Sequence, residues 1–169
     1  MSREIEEAIR RDAWKEARRL VRAALRRHPN DHWLLARLSL TYYEERDYQR
    51  ALSIVQRAYA LAPHCPLVLW DLGGSLDMLG RHTEAVRVFR RLVRRGVESI
   101  AFGDCGEGLA RARGLVADCW YRLARLHSKR ARRRDAILCY RRHMSMRGRA
   151  CHSIYPLKDV RREFLEYAG

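Results

Sequence analysis

Residues 50–63 read RALSIVQRAYALAP, and the same arrangement returns upstream as EARRLVRAALRRHP at 16–29 and downstream as EAVRVFRRL at 84–92. Ala17, Ala51 and Ala85 stand 34 residues apart, as do Val21, Val55 and Phe89, and Trp14, Tyr48 and His82; Pro29 and Pro63 keep the interval. Three tracks with one period define a recurring supersecondary unit. Within each period, apolar residues fall at helical spacing, first Leu35, Leu38 and Tyr42, then Leu69, Leu72 and Leu76. Each unit therefore predicts two amphipathic helices, here called A and B, joined by a tight turn (RDY at 46–48, GRH at 80–82) and stopped by proline. An alanine in the middle of helix B suits close helix contact, since a larger side chain forces the pair apart.

The chain has 169 residues, nearly half of them apolar and a third charged. That length suits one folding unit with a sizeable core, and the composition suits a folded chain better than a disordered one. The start, MSREIEEAIRR, has neither the apolar run of a signal peptide nor a membrane span, and no later run is long enough to cross a bilayer, so a cytoplasmic location is expected. Cys65, Cys105, Cys119, Cys139 and Cys151 form no CxxC pair. Reduced thiols are expected, rather than a disulfide framework or a zinc ribbon. The net charge of +15 is uneven: residues 86–169 hold 21 basic and 8 acidic side chains, against 14 and 12 before them. A basic C-terminal half attracts acidic protein, nucleic acid or anionic membrane.

The pattern resembles the tetratricopeptide repeat family. Its succession of large, Leu, small, aromatic, Ala, aromatic, Ala and Pro appears as Leu35, Leu38, Ser39, Tyr42, Ala51, Val55, Ala58 and Pro63. The next unit supplies Leu69, Leu72, Gly73, Leu76, Gly80, Ala85, Phe89 and Leu92, and a later one Trp120, Leu123, Ala124, His127, Ala136 and Tyr140. The resemblance implies an all-α, right-handed solenoid in a single domain, with units near residues 1–31, 32–65, 66–98 and 117–150. Stacked units of this kind share one core, which a single unit cannot build alone. The tail KDVRREFLEYA alternates apolar Val160, Phe164, Leu165 and Tyr167 with charge, and predicts a capping helix over 156–168.

Ala85 and Ala136 are 51 residues apart, one period plus half of another. The insert spans 99–116 and includes SIAFGDCGEGLARARG. Gly96, just past a basic last turn, predicts a helix stop, which leaves VESIAFG as a connection. Asp104 and Glu107 have the spacing of a capping box with Cys105 as the first helical residue. The next A helix would then be lengthened by about three turns, roughly 18 Å. Val97, Ile100 and Phe102 are candidates to cover that overhang. A homodimer through residues 105–116 is the alternative.

GDCGEG is not a phosphate cradle, because no strand precedes it and no Lys-Ser/Thr pair follows. A helix N-terminus would activate the Cys105 thiol, which Asp104 and Glu107 oppose. Cys139, His143 and His127 have conceivable metal spacing, but they occupy positions where the family packs helix on helix. No catalytic constellation appears, so neither an enzyme nor a cofactor or metal is expected. SKRARRRD at 128–135 reads as a basic turn without the interleaved aromatics of nucleic-acid modules.

In the family, A helices line a groove that grips an extended peptide or a partner helix. Carried over, the resemblance implies groove residues Trp33, Arg37, Leu40 and Tyr43, then Trp70, Asp71, Asp77 and Met78, then Tyr121, Arg122, Arg125 and Lys129. The chaperone-carboxylate clamp of some members needs groove asparagines and lysines, and of these positions only Arg122 matches. The expected function is a protein-binding adaptor or chaperone-like scaffold whose partner segment is acidic or carries apolar anchors. The alternative is nonspecific nucleic-acid association through the basic half.

Overall fold

The computed structural model describes residues 2–148 and 151–169. The ends of the units expected to begin at residue 1 and to finish at 149–150 lie outside the described residues. Among the described residues the chain forms nine helices and no strand. Contacts divide it into two compact units, Met1–Arg81 and His82–Gly169. The boundary falls between the two helices of the 66–98 repeat.

The first unit holds α1 (Ser2–Arg10), α2 (Trp14–Leu25), α3 (His32–Glu44), α4 (Tyr48–Leu61) and α5 (Pro66–Met78). Asp31 caps α3 by accepting from the Trp33 and Leu34 N–H groups at 2.9 and 3.1 Å, and Asp47 caps α4 by accepting from Arg50 N–H at 3.1 Å. Each satisfies donors the helix start leaves orphaned. Pro66 opens α5, where its missing N–H costs nothing. Each helix packs on its chain neighbour, and α3 also packs on α5. Ile5, Val21, Ala24, Leu34, Leu38, Tyr42 and Ala51 form one buried cluster. The two small residues of the pattern meet between α3 and α4: Ser39 Oγ donates to the Ala51 carbonyl at 2.8 Å. That distance requires helices in near-backbone contact.

The turns inside the hairpins keep the period too. Asp12, Arg46 and Gly80 have φ of 55°, 64° and 74°, and Ala131, 51 residues beyond Gly80, has 54°. Each residue donates its N–H three residues back, and its successor donates five back, as in Arg46 to Tyr43 (2.9 Å) and Asp47 to Tyr42 (2.9 Å). This left-handed closure satisfies the last carbonyls of the A helix. Only one of the four positions is the residue type that adopts it without strain.

The second unit holds α6 (His82–Phe102), α7 (Leu109–Lys129), α8 (Arg133–Ser145) and α9 (Leu157–Ala168), packed in succession. The tail forms the expected terminal helix and packs on α8. Val160 of α9 is buried, and Glu163 accepts from Tyr121 OH at 2.7 Å and from Tyr140 OH at 3.3 Å. Arg133 donates to the Ala168 carbonyl at 2.6 Å.

The insert departs from the sequence expectation in three respects. Gly96 breaks α6 (φ 77°, ψ 164°), yet the following residues resume a helix to Phe102 instead of forming an open connection. Nothing in that stretch stops a helix, and its Ile100 and Ala101 are buried. Secondly, α7 starts at Leu109 with Gly108 at its N-cap and no side-chain cap. Cys105 is left-handed (φ 62°) in a reversal where Gly106 N–H reaches the Gly103 carbonyl at 2.9 Å and Gly108 N–H reaches that of Ala101 at 3.3 Å. Glu107 pairs with Arg111 at 2.8 Å, one turn along, so no capping box forms. Thirdly, the overhang is Leu109–Val116, about two turns or ~12 Å rather than three turns.

The chain's own residues cover one side of this overhang. Ala112 and Val116 are buried, as are Ile100 and Ala101. Residues 151–155 form a strap across α7: His152 N–H donates to the Ala110 carbonyl at 3.3 Å, Ile154 N–H to Asp118 Oδ2 at 3.0 Å, and the Ser153 hydroxyl to Asp118 Oδ1. Burial pushes the Asp118 carboxyl up to about 6, against the lowering effect of the Ser153 and Ile154 hydrogen bonds and of Arg147. Gly114 lies under the strap so closely that a Cβ there would stand 2.0 Å from the His152 carbonyl oxygen. Phe102, Leu109 and Ile154 remain exposed.

Candidate functional site

In the Met1–Arg81 unit, α3 and α5 carry eight of the residues expected to line a groove. Trp33, Arg37, Leu40, Tyr43 and Trp70 are half-buried, Asp71 and Asp77 are buried, and Met78 is 43 % exposed. Trp33 and Tyr43 each pack one side against the apolar cluster of α1–α4. Tyr43 also meets Tyr48 edge to face, ring centroids 5.3 Å apart. Rings held in this way lose little further freedom when a partner covers the rest of them.

Arg37 is engaged on two sides. Its Nε lies 2.6 Å from Glu6 Oε1 on α1, and its guanidinium sits 5.4 Å from the centre of the Trp33 ring, within cation–π range. Asp71, on the neighbouring α5, is only 9 % exposed. Burial pushes its carboxyl up to about 7; Arg37 pulls it down and Glu44 pushes it up. Burial therefore outweighs the arginine, whose charge is shared with Glu6. Asp71 Oδ2 and, one turn along, Ser75 Oγ are buried without a hydrogen-bond partner. Glu44 is itself raised, first by burial and then by Asp12.

In the His82–Gly169 unit the equivalent positions are occupied differently. Tyr121 is 4 % exposed, its hydroxyl bound to Glu163 of α9 and its ring 6.1 Å from that of Tyr140 and 4.4 Å from that of Tyr155. The terminal helix thus covers the position that Trp70 holds one unit earlier. Burial, reinforced by the Glu163 hydrogen bond and charge, holds the Tyr121 phenol far above its ordinary range. Arg125 is exposed with Glu163 at 4.0 Å, Arg122 lies over the Phe89 ring at 5.7 Å, and Lys129 is exposed.

The buried histidines pack between helices. His143 Nδ1 is 2.8 Å from the Ala117 carbonyl, to which it donates as the neutral ring, and His127 lies 4.0 Å from Asp135. Burial lowers both below the ordinary histidine value and pushes the Cys139 thiol up to about 11. Neutral thiols and imidazoles inside a core are packing groups. Sequence reasoning passed over Glu6, Glu44 and Asp118. Glu6 and Glu44 sit on faces whose partners only the stacking of helices reveals, and the strap on Asp118 comes from residues 35 and 36 positions away.

Helical hairpins recurring at 34 residues, with small residues at their contact and left-handed turns in register, define a tetratricopeptide-type helical repeat. Family models described as tetratricopeptide repeat match residues 36–97 and 119–150. The chain belongs to the tetratricopeptide repeat family, whose fold class is the all-α helical-repeat solenoid. Such repeats serve as protein–protein interaction scaffolds. No curated protein gives a significant match. Among solved structures, MamA residues 41 to the end from Desulfovibrio magneticus RS-1 align at 18 % identity and TM-score 0.67, over 86 % of this chain and 72 % of that one. Two further MamA crystal structures align at 20 % and 21 % identity, both with TM-score 0.64, over 97 % and 96 % of this chain and 84 % and 89 % of theirs. At these identities the likeness concerns the fold. No described helix is long and apolar enough to cross a membrane.

Proposed function

We propose that this chain is a non-enzymatic adaptor or chaperone-like scaffold of the cytoplasm, and that the A-helix face of its Met1–Arg81 unit holds a segment of another protein. The observation that supports this reading is the row of half-covered side chains on α3 and α5. Trp33, Leu40, Tyr43 and Trp70, with the exposed Met78, offer rigid apolar anchors, and aromatic anchors of this kind dominate binding energy at interfaces. None of the five cysteines, all of them described, is in a disulfide, which fits a reducing compartment. In the second unit, α9 lies over Tyr121, which leaves Arg122, Arg125 and Lys129 of the twelve groove positions for polar contacts only.

The test is capture of partners by wild type and by Leu40→Ser/Met78→Ser from nuclease-treated native extract at two salt concentrations. Proteins held by wild type at both concentrations and lost by the variant support the reading. Identical capture by the two contradicts it. A second reading, nucleic-acid association, is favoured by the exposed Arg87, Arg90 and Arg94 along α6 and by Arg133, Arg134 and Arg141 on α8. Binding of that kind collapses with nuclease and falls linearly in log K against log salt.

A further inference from the structure

The α3 and α5 part of the A-helix face of the Met1–Arg81 unit carries the opposite sign to the rest of the protein. In a chain with 35 lysines and arginines, residues 58–80 hold none, while α5 brings Asp71 and Asp77. Helix α3 adds Glu44 and a single base, Arg37, and α1 adds Glu6, with Arg3 and Arg10 at its two ends and Arg10 paired to Glu7 at 3.3 Å. Arg37 is already committed, to Glu6 at 2.6 Å and to the face of Trp33 at 5.4 Å. Asp71 is left under-compensated, nine-tenths buried, with Oδ2 unbonded and Glu44 adding like charge from the neighbouring helix. An isolated carboxylate in such surroundings is costly, and a cation brought to it recovers part of that cost.

The flanking groups suit the stem of a long basic side chain as well as its charge. Trp33, Leu40 and Trp70 are half-buried and Met78 is exposed, so all four offer partly uncovered apolar surface to the methylenes of such a side chain. An acidic segment, the occupant that the net charge of the whole chain suggests, meets like charge here.

We propose that this face takes a basic, apolar-anchored segment of a partner protein, whose arginine or lysine side chains seat against Asp71, Glu6 and Glu44 while its apolar residues cover Trp33, Trp70 and Met78. The proposal rests on the protein-binding reading of the same face. It adds the sign of the partner.

Three fluorescein-labelled peptides of one length test it, alternating leucine with arginine, with glutamine or with glutamate, titrated by anisotropy at fixed salt against wild type, Glu6→Gln/Glu44→Gln, Asp71→Asn and Leu40→Ser/Met78→Ser. Circular dichroism melts confirm that each variant folds. The expected result is tightest binding of the arginine peptide, against the pull of a +15 chain, with each carboxylate variant weakening it by about three- to tenfold and weakening the glutamine peptide less. Equal or tighter binding of the glutamate peptide, no response to the carboxylate variants, or no binding of any peptide overturns the proposal. If the peptides bind and Leu40→Ser/Met78→Ser weakens all three while glutamate is preferred, only the sign is wrong. Peptides that bind but ignore Leu40→Ser/Met78→Ser contradict the face itself.

Discussion

Gly114→Ala is expected to loosen the 151–155 strap and to destabilise the second unit. The added Cβ would lie 2.0 Å from the His152 carbonyl oxygen and 2.5 Å from its carbon, both backbone atoms of the strap. A carbon–oxygen contact relaxes only beyond roughly 3.2 Å, so the strap must retreat by about 1 Å or more, and crowding of this kind costs about 1–3 kcal/mol. Retreat also strains two hydrogen bonds on one carboxylate, from Ile154 N–H (3.0 Å) and the Ser153 hydroxyl to Asp118. A bond to a charged group contributes about 1.5–3 kcal/mol. Alanine in a helix interior is favoured over glycine by about 1 kcal/mol, which offsets part of the loss. The net expectation is a destabilisation of about 2 kcal/mol, with both terms counted. Urea unfolding gives the midpoint, and limited trypsinolysis read by mass spectrometry reports the strap, whose nearest described basic residues are Arg147 and Lys158. Faster cleavage at these sites together with a lower midpoint is the predicted pair of results. A raised midpoint with unchanged cleavage, the outcome of helix propensity alone, refutes the strap.

Asp71→Asn tests the buried carboxyl. Its folded value of about 7 lies above the unfolded one, so the folded chain holds the proton more tightly, and the stability this gives is present at low pH and is lost as pH rises toward 7. Relative to wild type, the variant should be near-neutral at pH 4 and more stable at pH 8, by at most about 4 kcal/mol; equal stability at both pH values contradicts the assigned burial. Ala131→Gly relieves an exposed left-handed alanine and should raise stability by about 0.5–1 kcal/mol in thermal or urea unfolding, whereas a loss would mean that the turn is not left-handed. Glu163→Ala removes the acceptor shared by Tyr121 and Tyr140 and should cost about 1–3 kcal/mol. Faster amide exchange confined to α9 and the facing turns of α7 and α8 would accompany that loss, and unchanged exchange would show that α9 is held by other means.

The repeat was legible because its signal is redundant. Ala51, Val55 and Pro63 each restate what Ala17, Val21 and Pro29 have already set, and a helix hairpin needs both its small contact residues and its stop. The left-handed turns at Asp12, Arg46 and Ala131 were not legible, since arginine and alanine do not mark that backbone and aspartate marks it only weakly; alignment with Gly80 exposes them. The start of α7 was misread for a related reason. Asp104 and Glu107 have capping-box spacing, but spacing alone does not say that Cys105 is turned left-handed by a reversal closing on the Ala101 carbonyl. The positions of α3 and α5 expected to line a groove came from the family resemblance. Their electrostatics did not, because the state of Asp71 depends on how Arg37 is divided between it and Glu6, and that is decided by the packing of three helices.

The central claim is that α3 and α5 present a protein-binding face, and a photo-crosslinking amino acid placed at Met78 and, separately, at Arg94 tests it most directly. Irradiated in native extract, the chain is predicted to form polypeptide adducts from position 78 that disappear with Leu40→Ser, and none from position 94. Adducts to nucleic acid or protein from position 94, with position 78 silent, would contradict the account.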